Sequence, residues 1–275
     1  MTYNAAIRQD RLQGVILDWA GTTVDFGCIA PATAFVRLFD QFGMAITRDE
    51  ARGPMGTAKR DHIAQVLYSP RVAAAWQAQH GRAPTDADVV AMYEQFIPQQ
   101  TAALLDYADP IPGAVEAVAQ LRAMGLKIGS NTGYTRSMME ALAPMVAARG
   151  YSPDALVVPE DVGTGRPAPF MAFEIARRLG IYPMWTILKV GDTPVDMEEA
   201  RMAGMWAVGV AGTGNEIGLS ERDFSELAHA ERAALLRIAY DRLTAAGAHY
   251  VVDALADVPP LIAQINDRLA QGEKP

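Results

Sequence analysis

The apolar run Gly14-Val15-Ile16-Leu17 stops at Asp18, and the small residues Ala20-Gly21-Thr22-Thr23 follow within two positions. The pattern predicts a buried strand that carries Asp18 to the edge of a sheet, with Gly21 letting the backbone turn around a ligand. In an open α/β sheet, the carboxyl ends of the strands are where ligands bind. Many strands end in Asp before a turn, so the rest of the chain must decide what this one does.

After Asp25 the period changes. Ala34, Phe35, Leu38, Phe39 and Phe42 mark one face of a helix that Gly43 ends. Thr47 with Glu50 reads as a capped helix start, and another helix is expected from Pro54-Met55-Gly56 through Val66. A helix around Trp76 and one carrying Val89, Met92, Tyr93 and Phe96 follow, separated by a turn at Pro84-Thr85. From about Cys28 to Leu105 only helices are predicted. Beyond Ile111 the chain alternates strand and helix: strands at Leu126–Gly129, Leu156–Val158, Ile187–Val190 and Ala207–Val210, helices at 114–124, 137–148, 169–179 and 197–203. A strand at Tyr250–Val252 and a last helix at 259–269 close it. This rhythm specifies a parallel sheet with right-handed crossovers. The expected fold is α/β, a Rossmann-like three-layer core with an inserted all-helical cap domain. The core takes residues 1–26 and 106–275, and the cap takes residues 27–105.

The 275 residues, half of them apolar, suit such a two-part design, and no apolar run reaches bilayer-spanning length. Residues 1–13 show no signal-type core, so a cytoplasmic protein is expected. A formal charge of −8 argues against a broad basic surface for nucleic acid. Attraction of an anion must then come from a few placed cations or a metal. The single cysteine, Cys28, cannot form an internal disulfide and fits a reducing compartment; it reads as a buried filler that could also line a site.

Polar residues gather at four strand ends. Asp18 ends the first, Ser130-Asn131-Thr132-Gly133 the second, Gly163-Thr164-Gly165-Arg166-Pro167 follows the third, and Gly191-Asp192-Thr193-Pro194-Val195-Asp196 ends the fourth. In one parallel sheet these ends share an edge. Asp18 and Asp192 could then hold a hard divalent cation, Mg²⁺ best of all. Hydroxyls, loop N–H groups and a fork-shaped arginine suit a phosphoryl group. Each also has a plainer reading: Ser130 and Thr132 as helix caps, Arg166 as a surface ion-pair residue, Asp196 as the cap of a helix starting at Met197.

With these four motifs the chain resembles the haloacid dehalogenase superfamily of phosphotransferases over nearly its whole length. The resemblance implies attack by Asp18 on phosphorus, an aspartyl-phosphate intermediate, and Mg²⁺ held by Asp18 and Asp192. Most phosphatases of that superfamily carry a second Asp two places after the nucleophile, as acid for the leaving oxygen. Here that residue is Ala20, which offers only its backbone carbonyl to the metal.

The cap segment Met55-Gly56-Thr57-Ala58-Lys59-Arg60-Asp61-His62 narrows the reading. On a helix, Met55, Lys59 and His62 would share a face, and a lysine beside an imidazole can lose its proton and attack a carbonyl. The plain alternative is a solvated lysine on an amphipathic helix. Taken with Trp19–Gly27, Gly129–Arg136, Gly165-Arg166-Pro167 and Lys189–Asp196, the segment resembles the phosphonatase family of that superfamily. The resemblance implies a Schiff base between Lys59 and a phosphonate aldehyde, phosphonoacetaldehyde, with His62 relaying protons. It further implies substrate contacts from Ser130, Thr132, Tyr134, Arg166, Met55 and Cys28, with Asp196 behind the metal ligands. Cleavage of the P–C bond to acetaldehyde and phosphate would follow, as in 2-aminoethylphosphonate degradation. A homodimer is expected from the same resemblance. The alternative within the superfamily is a Mg²⁺-dependent phosphomonoesterase or sugar-phosphate mutase.

Overall fold

The computed structural model describes residues 9–275; residues 1–8, which hold most of the segment read for a leader, lie outside the described residues. The first strand, β1 (Gly14–Leu17), is followed by five helices: α1 (Ile29–Gln41), α2 (Arg48–Arg52), α3 (Lys59–Leu67), α4 (Pro70–His80) and α5 (Asp86–Leu104). Alternation then begins with α6 (Ala114–Ala123), β2 (Lys127–Asn131), α7 (Arg136–Ala148), β3 (Ala155–Val157), α8 (Pro159–Val162) and α9 (Phe170–Leu179). It continues with β4 (Ile187–Gly191), α10 (Pro194–Ala203), β5 (Trp206–Val210), α11 (Glu221–Glu226) and α12 (His229–Ala245). The chain closes with β6 (Tyr250–Val252) and α13 (Leu261–Ala270).

The six strands form one parallel sheet in the order β3-β2-β1-β4-β5-β6. Its buried strands read as near-continuous apolar runs because both faces are covered. Val15 and Leu17 pack on one side with Leu188, Val190 and the residues of α6, α7 and α13, whereas Ile16 packs on the other with α9, α10 and α12. These are the three layers. Register sets the functional edge: Leu17 lies opposite Ser130 on one side and Val190 on the other, so the residues just beyond converge.

The helical cap packs around Phe35, Leu38, Phe39, Trp76 and Phe96, which are continuous with the apolar cluster on that side of the sheet. Thr47 caps α2 in a reciprocal box, its Oγ1 accepting from the Glu50 N–H at 3.1 Å while Glu50 accepts from the Thr47 N–H at 2.8 Å.

Two expected helices start elsewhere. The helix expected from Pro54 begins only at Lys59, because Pro54–Thr57 is a turn in which Gly56 takes φ +92°. The helix expected from Met197 begins at Pro194, because Thr193 provides the cap and proline suits the first helical position. Asp196 is therefore not the cap. It is the third helical residue, closing the box by accepting from the Thr193 N–H at 3.2 Å and also from its hydroxyl at 2.6 Å. Strand β2 also runs on to Asn131, two residues beyond the expected end.

Candidate active site

Asp18 lies one residue past β1, held by its N–H donating to the Val190 carbonyl at 3.0 Å. Asp192 lies one residue past the neighbouring β4. With Asp196 they bring carboxylate oxygens within 4.8 Å of one another, all buried. Arg166 reaches in from the segment after α8: one end of its guanidinium pairs with Asp18 at 2.8 Å and the other with Asp196. Arg166 is thus buried and bridges two carboxylates, not a surface ion-pair residue.

Behind it sits a second buried cation. Lys189 is the odd charge within the apolar strand β4, and its ammonium meets Asp196 at 3.0 Å, Glu199 at 3.1 Å and Asn131 Oδ1 at 2.5 Å. Asn131 in turn donates to Glu199 at 2.7 Å. Sequence reasoning missed this network, although a lone lysine between apolar strand residues was its visible signal.

The cluster of four buried carboxylates, Asp18, Asp192, Asp196 and Glu199, has two buried cations, Arg166 and Lys189, in direct contact with it, and even with Lys59 in the same cavity the negative charges outnumber the positive. The strain falls on Asp192: burial first, then the charges of Asp18 and Asp196, push its carboxyl well above the usual range. Burial also raises Asp18, against the pull of Arg166. For Asp196, burial is outweighed by Arg166 and Lys189, which hold it below its ordinary value. A dication between Asp18 and Asp192 would offset this surplus of negative charge, and an all-oxygen donor set suits a hard ion. The residues present fit a metal.

The cavity above these carboxylates is closed by the cap. Asp18, Ala20, Arg166 and Asp192 line it from the core, and Lys59 and Met55 line it from the cap. Cys28, Thr132 and Tyr134, also expected, line it too. It measures about 20 Å³, room for roughly one water molecule. Lys59 is 4 % exposed, and burial lowers its pKa to about 8, with Arg166 pressing in the same direction. It is no solvated lysine. Met55 reaches the cavity from the turn before α3, so it shares the site with Lys59 but not a helix face.

Two expected residues stand back from the cavity. Ser130 turns its hydroxyl to donate to the Leu17 carbonyl at 2.7 Å, tying β2 to β1, and leaves Thr132 as the lining hydroxyl. Thr132 Oγ1 accepts from the Tyr134 N–H at 3.1 Å, while Thr135 is the residue that caps α7. His62 is fully buried beneath Lys59, its ring stacked on Phe35 with centroids 3.7 Å apart. Its Nε2 lies 2.8 Å from the Ala51 carbonyl, which can only accept, so the proton sits on Nε2 and Nδ1 keeps a bare lone pair with no partner. Burial, then the nearby Lys59, pushes its pKa well below the usual value, so the ring is neutral.

With this geometry in view, the comparisons with known proteins are decisive. Residues 12–204 match the model of the haloacid dehalogenase-like hydrolases. A phosphonoacetaldehyde hydrolase of Paraburkholderia phytofirmans is 47 % identical over 264 residues, covering 96 % of this chain and 99 % of that one. One from Klebsiella pneumoniae is 48 % identical over 268 residues, covering 97 % of this chain and all of the other. This chain belongs to the phosphonoacetaldehyde hydrolase family. It is therefore an enzyme of the hydrolase class, built on the haloacid dehalogenase fold. A solved structure from Oleispira antarctica, described as similar to phosphonoacetaldehyde hydrolase, superposes with a TM-score of 0.95 at 42 % identity over the full length of both chains. Among the described residues no helix is long and apolar enough to cross a membrane.

Proposed function

We propose that this enzyme hydrolyses the P–C bond of phosphonoacetaldehyde, using Lys59 to form a Schiff base and Asp18 to accept the phosphoryl group. The observation that carries this reading is the meeting of Lys59, from the cap, and Asp18, from the core, in one closed cavity where Ala20 stands in place of an acid. A carbanion is too poor a leaving group for attack on phosphorus alone. The neutral Lys59 amine adds to the aldehyde and water departs, leaving a protonated imine. An Asp18 oxygen then bonds to phosphorus, the P–C bond breaks, and its electron pair moves into the imine as an enamine. The atom that leaves phosphorus is carbon and not oxygen, so no acid is needed at Ala20. Protonation of the enamine carbon and addition of water release acetaldehyde and free Lys59. A second water attacks the aspartyl phosphate and releases phosphate.

His62, with Nδ1 bare and unpartnered one helical turn from Lys59, is suited to take the proton that Lys59 must lose. Arg166 fixes Asp18 and presents donors to the phosphonate oxygens, with Thr132 and the loop N–H groups beside it. Mg²⁺, held by Asp18, Asp192 and the Ala20 carbonyl, would supply positive charge opposite the phosphoryl oxygens. Tyr134, Met55 and Cys28 shape the aldehyde end, and Asp196 steadies Arg166. The reaction suits degradation of 2-aminoethylphosphonate, whose amine must first be exchanged for the aldehyde. We place the enzyme in the cytoplasm as a homodimer, which sedimentation of the purified protein checks.

The test is borohydride reduction in the presence of phosphonoacetaldehyde, followed by peptide mapping. Substrate-dependent inactivation with the label on Lys59 is expected. Label on Lys127 or Lys189, or none, overturns the imine route.

A further inference from the structure

We infer that Arg52, a cap residue outside the cavity, is a positioning residue that couples closure of the cap to the metal carboxylate Asp192. This rests on the reading of Asp18 and Asp192 as metal ligands. Arg52 ends the short helix α2, yet none of its guanidinium bonds goes to the cap helices. Nη1 donates to the carbonyl of Gly27 at 2.9 Å, to the Asn215 carbonyl at 3.2 Å and to Asn215 Oδ1 at 3.3 Å; Nη2 donates to the Gly218 carbonyl at 2.9 Å. Gly27 lies in the strand-to-cap linker, and Asn215 and Gly218 lie in the core loop after β5. Arg52 is 9 % exposed, and among the described residues its guanidinium has no carboxylate partner within ion-pair distance. A buried cation whose direct bonds go only to carbonyls and an amide, with Asp25 and Asp192 attracting it without contact, is a costly way to staple a seam. Its position must matter more than its contribution to stability.

The loop it grips is the one that holds the metal carboxylate. The Asn215 N–H donates to Asp192 Oδ2 at 2.7 Å, and the Asn215 amide returns a bond to the Arg52 carbonyl at 3.4 Å. The Cys28 thiol, next to the linker glycine, donates to the same Asp192 oxygen at 3.2 Å. Oδ2 is held by these two donors, whereas Oδ1 accepts only one long bond, from the Thr22 hydroxyl at 3.4 Å, and so keeps a lone pair for the ion. The seam tolerates no looser arrangement. A Cβ on Gly218, whose φ is +66°, would stand 2.7 Å from Arg52 Cζ, and one on Gly27 would stand 2.0 Å from the Leu219 carbonyl oxygen. The linker itself is strained: Asp25 and Cys28 take φ of +54° and +50° around Gly27 at +78°. Arg52 holds this linker closed and aims Asn215 at Asp192. When the cap swings away, the loop loses its four-point grip and the carboxylate loses its fixed orientation. By linkage, an ion on Asp192 must then favour the closed cap.

The experiment uses the full-length protein without substrate. Mg²⁺ affinity is measured by calorimetry, and the cap-to-core distance by spin labels on Gln77→Cys and Gln120→Cys, for the wild type, Arg52→Met and Asn215→Ala. In the wild type, Mg²⁺ should bind and shift the label pair toward the closed distance. Arg52→Met should weaken Mg²⁺ binding about tenfold, as loss of groups that orient metal ligands does, and should abolish the Mg²⁺-dependent distance change. Asn215→Ala keeps the backbone donor and should lose about threefold, which tests the link even if Arg52→Met does not fold. Arg82→Ala, a change in an exposed pair within the cap, should alter neither. Wild-type binding with unchanged affinity and unchanged closure in Arg52→Met and Asn215→Ala overturns the coupling alone. No Mg²⁺ binding by the wild type overturns the metal reading and the coupling with it.

Discussion

The Lys59 ammonium, delivered by the first residue of a cap helix, lies 4.8 Å from the ring centroid of Tyr134, which follows the second core strand. The contact spans the seam between the two parts of the enzyme. It places a buried cation on an aromatic face instead of against a carboxylate, which leaves the amine attracted but not neutralised by a partner. Burial therefore dominates, and the pKa falls to about 8.

Lys59→Met should abolish phosphate release and yet stabilise the protein. The wild-type lysine is still largely protonated at pH 7 in a site that disfavours the charge. Removing it should raise the unfolding free energy by about 3 kcal/mol at pH 7, read from urea melts. Lys59→Arg should be equally inactive, because a guanidinium does not become a free amine at any working pH. Stability that falls in Lys59→Met would show that the charge is compensated in the folded state.

Since the amine must be neutral to attack, kcat/KM should rise about tenfold per pH unit below 8 and level off above it. The linkage has a definite sign. A lysine whose folded pKa lies below its unfolded value of 10.5 binds fewer protons in the folded state between about pH 8 and 10.5. Its contribution to stability should rise across that window and be flat below it. A rate profile that is flat from pH 6 to 8 would remove Lys59 as the titrating nucleophile.

Chelation of the metal should silence the enzyme and lower its melting temperature, because the surplus negative charge of the buried carboxylates then loses its counter-ion. Asp18→Asn should be inactive even with saturating Mg²⁺, since the nucleophilic charge is gone. Asp192→Asn keeps the side chain's shape and should raise the Mg²⁺ concentration for half-activity by about a hundredfold. An enzyme that keeps its rate and melting temperature in chelator has no such ion.

Much of this was legible in the sequence because strand-end chemistry is local. The apolar run before Asp18, the Gly-Asp-Thr-Pro after β4 and the alternation of strand with helix all express themselves within a few residues. The parallel order and the shared edge follow from that alternation. What was not legible depended on side-chain direction. Ser130 and Thr132 are two apart, yet one bonds to its neighbouring strand and the other lines the cavity. Met55 and Lys59 meet at the site although a turn, not a helix, joins them, because Gly56 takes a left-handed conformation that the helical spacing did not reveal. Arg52 and Asn215 lie 163 positions apart, and no pattern in either segment announces their contact.

The buried pair of networks makes a further prediction at Lys189. Lys189→Met leaves Asp196 and Glu199 buried with one fewer cation, and should cost about 3–5 kcal/mol in chemical melts. Adding Glu199→Gln restores the balance, since Asp196 still pairs with Arg166. The double variant should recover most of the loss. If it is no more stable than Lys189→Met alone, packing of the lysine stem and not its charge holds this layer together.

Closure itself can be tested from the core side at Gly133. A Cβ there would stand 2.4 Å from the Thr57 carbonyl oxygen and 2.9 Å from that of Gly56, both backbone atoms of the cap turn that precedes Lys59. A backbone contact cannot rotate away, so Gly133→Ala must push the cap outward. Gly133 itself has no left-handed φ that alanine would refuse, so the fold should survive. The consequence should fall on the chemistry that needs both halves. A displacement near 1 Å between reacting groups costs about a hundredfold in rate, and kcat should drop by that order. Mg²⁺ binding, coupled to the cap only through Arg52 and Asn215, should weaken by no more than the tenfold or so expected for Arg52→Met. Imine trapping at Lys59 and phosphate release should decline together, because each needs the aldehyde and the phosphonate held across one closed seam. If Gly133→Ala turns over at the wild-type rate, the cap turn is free to give way and close approach at this seam is not what assembles the site.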